Sequence, residues 1–288
     1  MLINFIGVLF DGVAYGSLLF LISVGLAVTM GLMGFVNLAH GAFAMLGGYT
    51  CVTLLNRLDV PFLAALPAAF VISALAGLLL ERLLYRRLYK ASHLDQVLFS
   101  IGLTFMAVAA TAFVWGPSHQ LLVLPDWLQG QVAFAGLDFG AYRLFLIAIV
   151  LVITLALAGL IERTRFGSQV RAAVDNQAAA AGLGVNVSRL FSLTFALGSG
   201  LAGLGGALGI DMLGLEPNFA FKYLVYFLLV VAVGGTGTIK GPLIAAMILG
   251  VFDVVGKYYL PAAGSFIVYG LMVLLLLLFP AGLIRRRA

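Results

Sequence analysis

Charged residues are scarce in this sequence: Asp, Glu, Lys and Arg make up 9% of its 288 residues, whereas 63% are hydrophobic. A soluble globular domain carries about 25% charged residues, so the chain lies far outside that class. Barrel strands would alternate apolar and polar residues, and no such alternation is present. The sequence therefore predicts an all-α fold, a polytopic bundle of transmembrane helices forming a single domain over residues 1–288.

Recognisable catalytic and metal-binding motifs are also missing. The only cysteine, Cys51, excludes an intrachain disulfide, and three histidines with one cysteine offer no metal-ligand spacing. Neither His-Glu-x-x-His nor Gly-x-Ser-x-Gly occurs. The basic residues show no pattern of a nucleic-acid groove. We therefore expect no enzyme, no metal, no bound cofactor and no nucleic-acid partner for this chain itself.

A phosphate-binding loop is absent as well, although one stretch is rich in glycine. Val233–Pro242 contains Gly234, Gly235 and Gly237, but Lys240 is followed by Gly-Pro and not by Ser or Thr. No strand precedes it. We interpret the stretch as a break in a helix at the cytoplasmic face, with Gly234, Gly235 and Gly237 as candidate residues of a translocation path or gate. Its continuation at residues 246–250 weakly resembles residues 44–47, a trace of the internal repeats found in many transporters.

Apolar runs are what the sequence has in abundance, and about 20 such residues span a bilayer. The predicted spans are residues 5–31, 37–56, 62–81, 96–115, 142–161, 190–210, 219–234, 243–259 and 264–280. Because the span at 243–259 is short, the expected number is about nine, within a range of eight to ten. A glycine run at 198–209 predicts close helix packing.

Lysines and arginines predict the orientation, since cytoplasmic loops are enriched in them. Basic residues cluster in three places, 82–90, 163–189 and 285–287. Nine spans with the N-terminus outside and the C-terminus inside place all three clusters and Lys240 in the cytoplasm. No basic residue precedes Arg57, so a cleaved signal peptide is not expected and the first span is retained.

The segment Gly34–Gly48 carries Asn37 and His40 within an apolar region rich in glycine. Hydrocarbon offers no hydrogen-bond partners, so such side chains bond to protein or line a water-filled cavity. We interpret Asn37, His40 and Gly41 as part of an interrupted helix at a path through the membrane. The charge topology puts them toward the cytoplasmic side. A bond from His40 to a neighbouring carbonyl, an inner gate and substrate selection all remain open.

Two loops and one ion pair complete the candidates. The inner loop 162–189 predicts a short amphipathic helix from about Ser168 to Gly182 or Gly184, lying on the membrane or docking a cytoplasmic protein. The outer loop 116–141 holds Trp127, which indicates either interfacial anchoring or a partner surface. Asp253 and Lys257 share a helix face as a structural pair or a relay.

Three motifs in this order resemble those of one family. They are Asn37-Leu38-Ala39-His40-Gly41, the loop from Thr164-Arg165-Phe166-Gly167 through Arg171, Ala172, Asp175 and Gly182, and the Gly234-Gly235-x-Gly237 stretch. Together they resemble the shorter, H-type permease subunit of the branched-chain amino acid ABC importers of the Liv system. The resemblance covers essentially the whole chain.

That resemblance implies a multi-pass protein of the bacterial cytoplasmic (inner) membrane with four kinds of partner: a second, M-type permease, two cytoplasmic ATPase subunits, an external substrate-binding protein and the lipid membrane. ATP and Mg²⁺ would be bound by the ATPase subunits. Loop 162–189 would couple to them through Arg165, Phe166, Gly167, Arg171, Ala172, Asp175 and Gly182. Loop 116–141 would dock the binding protein.

The cargo stays open at this stage. Some members of the family have an acidic residue directly after the His-Gly pair, where this chain has Ala42. Related permeases import urea, short amides or other amino acids. A self-sufficient channel or secondary carrier is the competing class, which predicts flux without ATP.

Overall fold

The computed structural model describes residues 2–89, 91–134, 137–279 and 282–284, and in these ranges the chain is mainly helical. Lys90 and the three arginines at 285–287, which belong to the basic clusters, lie outside the described residues. The C-terminus lies outside them too.

Long helices form because hydrocarbon leaves backbone N–H and C=O groups without partners unless each bonds within its own segment. The helices are α1 (Leu2–Met33), α2 (His40–Leu58), α3 (Phe62–Leu80), α4 (Arg86–Leu88), α5 (His93–Trp115), α6 (Ala141–Arg163), α7 (Arg165–Asp175), α8 (Gln177–Gly182), α9 (Val187–Leu208), α10 (Ile210–Leu213), α11 (Phe219–Gly234), α12 (Lys240–Tyr259) and α13 (Gly264–Leu278). A π-helical turn, Glu81–Tyr85, joins α3 to α4.

A helix covers most of each of the nine predicted spans. Six helices in the described part of the chain are long and apolar enough to cross a membrane by length and composition: Asn4–Met33, Phe62–Leu88, His93–Trp115, Ala141–Arg163, Val187–Leu208 and Lys240–Tyr259. Phe219–Gly234 and Phe266–Leu278 are apolar but shorter. The molecule is therefore a polytopic helical membrane protein.

Helices α1 and α9 form the centre of the bundle. Of their most apolar stretches, 83% of the residues in α1 and 78% in α9 are buried, against 17% in both α5 and α6. The two helices run antiparallel, because Gly25 faces Gly198 while Ile22, earlier in α1, faces Gly205, later in α9. Helices α2, α3 and α12 pack around this pair.

Glycines bring these helices together, as the run at 198–209 predicted. A Cβ added to Gly206 of α9 would overlap the carbonyl oxygen of Ala44 in α2, and one added to Gly47 would overlap Gly203. Apolar side chains gain little from leaving lipid for another apolar surface, so close van der Waals contact is what holds transmembrane helices together. The predicted close packing is confirmed at these positions.

The two ends of the bundle differ, and the all-α expectation needs correction at one of them. Strands β1 (Gln131–Phe134) and β2 (Leu137–Gly140) pair antiparallel within the loop between α5 and α6. Phe139 packs on Phe10 of α1 with ring centroids 4.6 Å apart. We call this the hairpin end; at the α7 end, Leu32 of α1 packs with Val170 of α7.

Candidate translocation and coupling site

The first helix break follows α1. Gly34 has φ +62°, a left-handed conformation that favours glycine, and it turns the chain back toward the bundle. Helix α2 then begins at His40, whose Nε2 lies 2.7 Å from the carbonyl oxygen of Ile22. Ile22 precedes the end of α1, Met33, by 11 residues, or about 16 Å along the helix. The break therefore reaches deeper into the bundle than its place in the sequence suggests.

Asn37 holds this break together. Its Oδ1 accepts a hydrogen bond from the backbone N–H of Ala39 (3.0 Å) and a second from the hydroxyl of Tyr85 (2.8 Å). The first bond forms a local turn ahead of α2, which asparagine favours. The second ties the break to the π-helical turn after α3.

The side chains of Asn37 and His40 therefore bond to groups within this chain. Asn37 and His40 are 3% and 2% exposed, and Gly41 lies against the backbone of Ala220 at the start of α11. The sequence left three interpretations of His40 open, and this conformation contains one of them, the bond from His40 to a carbonyl. A role of Asn37 and His40 in gating stays a prediction.

The second break, residues 235–239, joins α11 to α12. Gly235 and Gly237 both have positive φ, +89° and +74°. The N–H of Gly237 donates to the carbonyl oxygen of Ala27 in α1 (2.9 Å). Gly234 packs so closely on the backbone of Pro242 that a Cβ would come within 2.5 Å of its nitrogen. The glycines of this stretch thus allow a tight reversal of the chain.

Both breaks consequently meet on one helix. Ile22 and Ala27 of α1 accept from the first and the second break, and they are five residues apart, or about 7.5 Å. In each case a break with at least one positive-φ glycine precedes the helix that follows it. The shared arrangement agrees with the weak repeat noted between residues 44–47 and 246–250.

The inner loop 162–189 contains two helices, α7 and α8, where the sequence predicted one. The interruption is at Asn176, whose backbone is extended (φ −156°) and whose Oδ1 accepts from the N–H of Ala179 (3.0 Å). Thr164 caps α7 in the same way through Gly167 (3.1 Å). The end of α8 at Gly182 matches the prediction.

One side of this loop packs on the bundle. Val170 and Ala173 are buried against Leu32 of α1 and Leu190 of α9. Gln177 Nε2 donates to the carbonyl oxygen of Leu32 (2.8 Å). The loop is thereby fixed to the end of α1.

The predicted coupling residues divide between two faces. Arg171 donates to the carbonyl oxygen of Ile161, and Gly167 packs on the same carbonyl, so these two shape the turn between α6 and α7. Phe166 is partly buried against the packed side. Arg165, Ala172, Asp175 and Gly182 are exposed. The exposed set is the surface available to a partner.

A cavity of about 230 Å³ connects the loop with the second break. Its walls include Arg171 and Val174 of α7, Val28 of α1, Gly237 of the break and Lys240 at the start of α12. Lys240 Nζ also lies 3.9 Å from Glu162 at the end of α6, a loose and exposed ion pair. The coupling loop, the second break and α1 thus share one site at the α7 end.

Sequence reasoning missed Tyr85 and Glu81. Tyr85 is fully buried, and its ring contacts Phe35 and Phe195 with centroids 5.2 and 4.9 Å away. Glu81 is also fully buried, and it accepts hydrogen bonds from Ser192 and Tyr89. An acidic residue at the end of the apolar run 62–80 was the available signal for this polar support of the first break.

Comparison with known proteins identifies the family. The family model described as "Branched-chain amino acid transport system / permease component" matches residues 8–277. The chain is 28% identical to the LivH high-affinity branched-chain amino acid permease protein of Salmonella typhimurium, over 98% of this chain and 96% of that protein. A probable LivH of Methanocaldococcus jannaschii is also 28% identical, over 96% of this chain and 90% of that protein.

Similarity extends to a second type of permease. LivM of Salmonella typhimurium is 26% identical over 92% of this chain and 67% of its own length. No solved structure matches significantly. Because the family model covers nearly the whole chain, including both helix breaks and the loop between them, this protein belongs to the family of permease components of branched-chain amino acid transport systems.

Proposed function

We propose that the chain is a membrane-spanning permease subunit of an ATP-driven importer for branched-chain amino acids. The observation that carries this is the shared site at the α7 end, where the amphipathic loop 162–189 and the second helix break border one cavity and both contact α1. A movement of the loop is thereby transmitted to the helix on which both breaks rest.

The partners follow from the same proposal. Two cytoplasmic ATPase subunits bind and hydrolyse ATP with Mg²⁺, and they contact the exposed face of α7 and α8. A second, M-type permease completes the membrane part; the similarity of this chain to both LivH and LivM supports a core built from two related chains. An external binding protein delivers the amino acid at the hairpin end. This chain itself binds no cofactor.

The proposed topology has nine spans, with the N-terminus outside the cell and the C-terminus in the cytoplasm. Its support is the separation of charge between the two ends. The α7 end carries Arg163, Arg165, Arg171, Arg189 and Lys240, whereas Arg143, Lys222 and Lys257 line the cavity at the hairpin end. The α7 end is then cytoplasmic under the positive-inside rule.

We further propose alternating access. Closure of the ATPase dimer on ATP tilts α7 and α8, the breaks shift on α1, and the path opens toward the hairpin end; hydrolysis restores the inward-facing state. The two breaks are suited to this role because each interrupts the helical hydrogen bonding at a positive-φ glycine, Gly34 in the first and Gly235 and Gly237 in the second.

Reconstitution tests the function. This chain, an M-type permease, the two ATPases and the binding protein are placed in liposomes, and uptake of radiolabelled leucine is measured with and without ATP. The expected result is uptake that requires ATP and all components, with competition by isoleucine and valine but not urea. Leucine flux through this chain alone, driven by a gradient, would contradict the proposal.

A further inference from the structure

A second, polar cavity lies at the hairpin end, away from the site described above. It has a volume of about 390 Å³, within the range of about 300–1,000 Å³ common for small-molecule sites. Its walls carry groups of both charges, Asp253, Lys257 and Arg143, together with the phenols of Tyr15 and Tyr226. Met212, Leu213 and Val254 supply apolar surface.

Asp253 is the fixed group in this cavity. Its carboxylate is buried, with 3% of the side chain exposed, and it accepts from Lys257 Nζ at 2.6 Å and from the Tyr226 hydroxyl at 3.4 Å. A carboxylate in such a position is costly unless a cation accompanies it. A rearrangement that keeps Asp253 ionised must therefore leave a positive charge beside it.

The ammonium group of Lys257, by contrast, can be displaced by another cation. Its side chain is 49% exposed and flexible, so its ammonium group can move into water at low cost. The place that it occupies suits an ammonium ion generally, because Nζ lies 6.0 Å from the ring centroid of Tyr15 and 5.8 Å from that of Tyr226. Aromatic faces at this distance attract cations.

A ligand ammonium group that took the position of Lys257 Nζ beside Asp253 would release the Lys257 side chain. Lys257 would then be available for an anionic group of the same ligand. Arg143 stands on the same cavity, paired with Asp11 and 42% exposed. A molecule with an ammonium and a carboxylate on one carbon supplies both a cation for Asp253 and an anion for Lys257 and Arg143. A simple amine supplies only the cation, and a simple acid supplies only the anion.

We propose that this cavity binds the zwitterionic head group of a free amino acid on its way through the permease. Asp253 binds the α-ammonium group in exchange for Lys257, and Lys257 with Arg143 binds the α-carboxylate. The apolar surface of Met212, Leu213 and Val254 receives an aliphatic side chain. This rests on the proposed function and specifies a substrate site for it.

The test uses the complete reconstituted transporter with two variants, Asp253→Asn and Asp253→Asn/Lys257→Met. A pair that only stabilises the fold loses little when both charges are removed together, so the double variant would recover uptake. A binding site does not recover: we expect both variants to import leucine roughly tenfold more slowly or worse at limiting leucine. Asp59→Asn, an exposed position with φ 50° that asparagine tolerates, is the matched control and should import normally.

A second measurement covers the case in which the charge variants fail to assemble. In the transporter carrying Val254→Cys, leucine should slow labelling by a maleimide, while leucinol and 4-methylpentanoate, which each lack one charge, should protect much less. Val123→Cys, in the outer loop and 71% exposed, should label equally with and without leucine.

Full uptake by the double variant, or equal labelling of Val254→Cys with and without leucine, would overturn the site while leaving the proposed function intact. Failure of the unmodified transporter to import leucine would instead overturn the proposed function.

Discussion

At the scale of single residues, the polar side chains of the first break form hydrogen bonds with backbone and side-chain groups of the same chain. His40 reaches a carbonyl of α1, and Asn37 joins Ala39 to Tyr85. Such bonds matter in a bundle because a buried polar group without a partner is costly. The sequence could indicate that these residues need partners, but it could not name Ile22 or Tyr85, which are distant along the chain.

Replacing His40 by alanine should lower the stability of the protein. The change removes the bond to Ile22 and leaves a void at the start of α2, a loss of about 1–3 kcal/mol. Thermal unfolding in detergent measures it. His40→Gln, which keeps a donor, should lose less. Unchanged stability with reduced uptake would show instead that the imidazole acts in transport.

Glu216, in the segment between α10 and α11, contributes to the stability of the fold in a pH-dependent way. The hydrogen bond from Lys222 Nζ (2.7 Å) lowers the pKa of the Glu216 carboxyl, and the charges of Lys222 and His119 lower it further. Because the folded pKa is below the unfolded one, the ionised group stabilises the fold above the unfolded value of about 4.3 and stops doing so as the pH falls through the folded pKa.

Glu216→Gln should therefore reduce the melting temperature slightly at pH 7, and the difference from the unmodified protein should vanish under acid conditions below the folded pKa. Differential scanning fluorimetry across this pH range measures it. A difference that is the same at every pH would mean that the amide disturbs packing rather than charge.

At the scale of helices, contacts between glycines determine which elements touch. Gly206→Ala should push α9 from α2, since the added methyl group overlaps the carbonyl of Ala44, and we expect a cost of about 1–3 kcal/mol or more. The matched control is Gly159→Ala in α6, where nothing lies within 4 Å and the change should be neutral or stabilising. Equal behaviour of the two variants in thermal unfolding would contradict the close packing.

The exposed face of α7 should bind the ATPase subunits. Ala172→Tyr places a bulky ring on this face without touching the packed side, so it should reduce co-purification of the ATPases while leaving thermal stability unchanged. Ala133→Tyr, exposed on β1 at the hairpin end, is the control and should co-purify normally. Normal co-purification of Ala172→Tyr would remove the support for coupling through this face.

Helices could be predicted from the sequence where one strong pattern, such as a long apolar run, determines the secondary structure. The apolar run at 219–234 gave the bounds of α11, Phe219–Gly234, because hydrocarbon requires a helix there. The hairpin was missed because strands of four residues are too short for alternation to stand out. The interruption at Asn176 was missed because the alanines on both sides favour a continuous helix, and only the capping bond to Ala179 divides them.

At the scale of the whole molecule, the proposed orientation can be tested with single cysteines. Cys51 is buried, so it gives little background labelling. A membrane-impermeant maleimide added to intact cells should label Val123→Cys at the hairpin end. It should label Leu183→Cys, at an 85% exposed position after α8, only once the membrane is opened. Labelling of both positions from the same side would contradict the nine-span arrangement.

The central place of α1 also has a consequence for how the protein is made. Helix α1 leaves the ribosome well before the helices that cover it, because α9 and α12 begin only at Val187 and Lys240. At synthesis rates of about 5–20 residues per second, α1 waits on the order of ten seconds or more for them. During that time its glycine-lined faces, which include Gly16 and Gly25, have only lipid or the insertion machinery as neighbours. A chain truncated before α12 would keep that face open and should be recognised by membrane quality-control proteases.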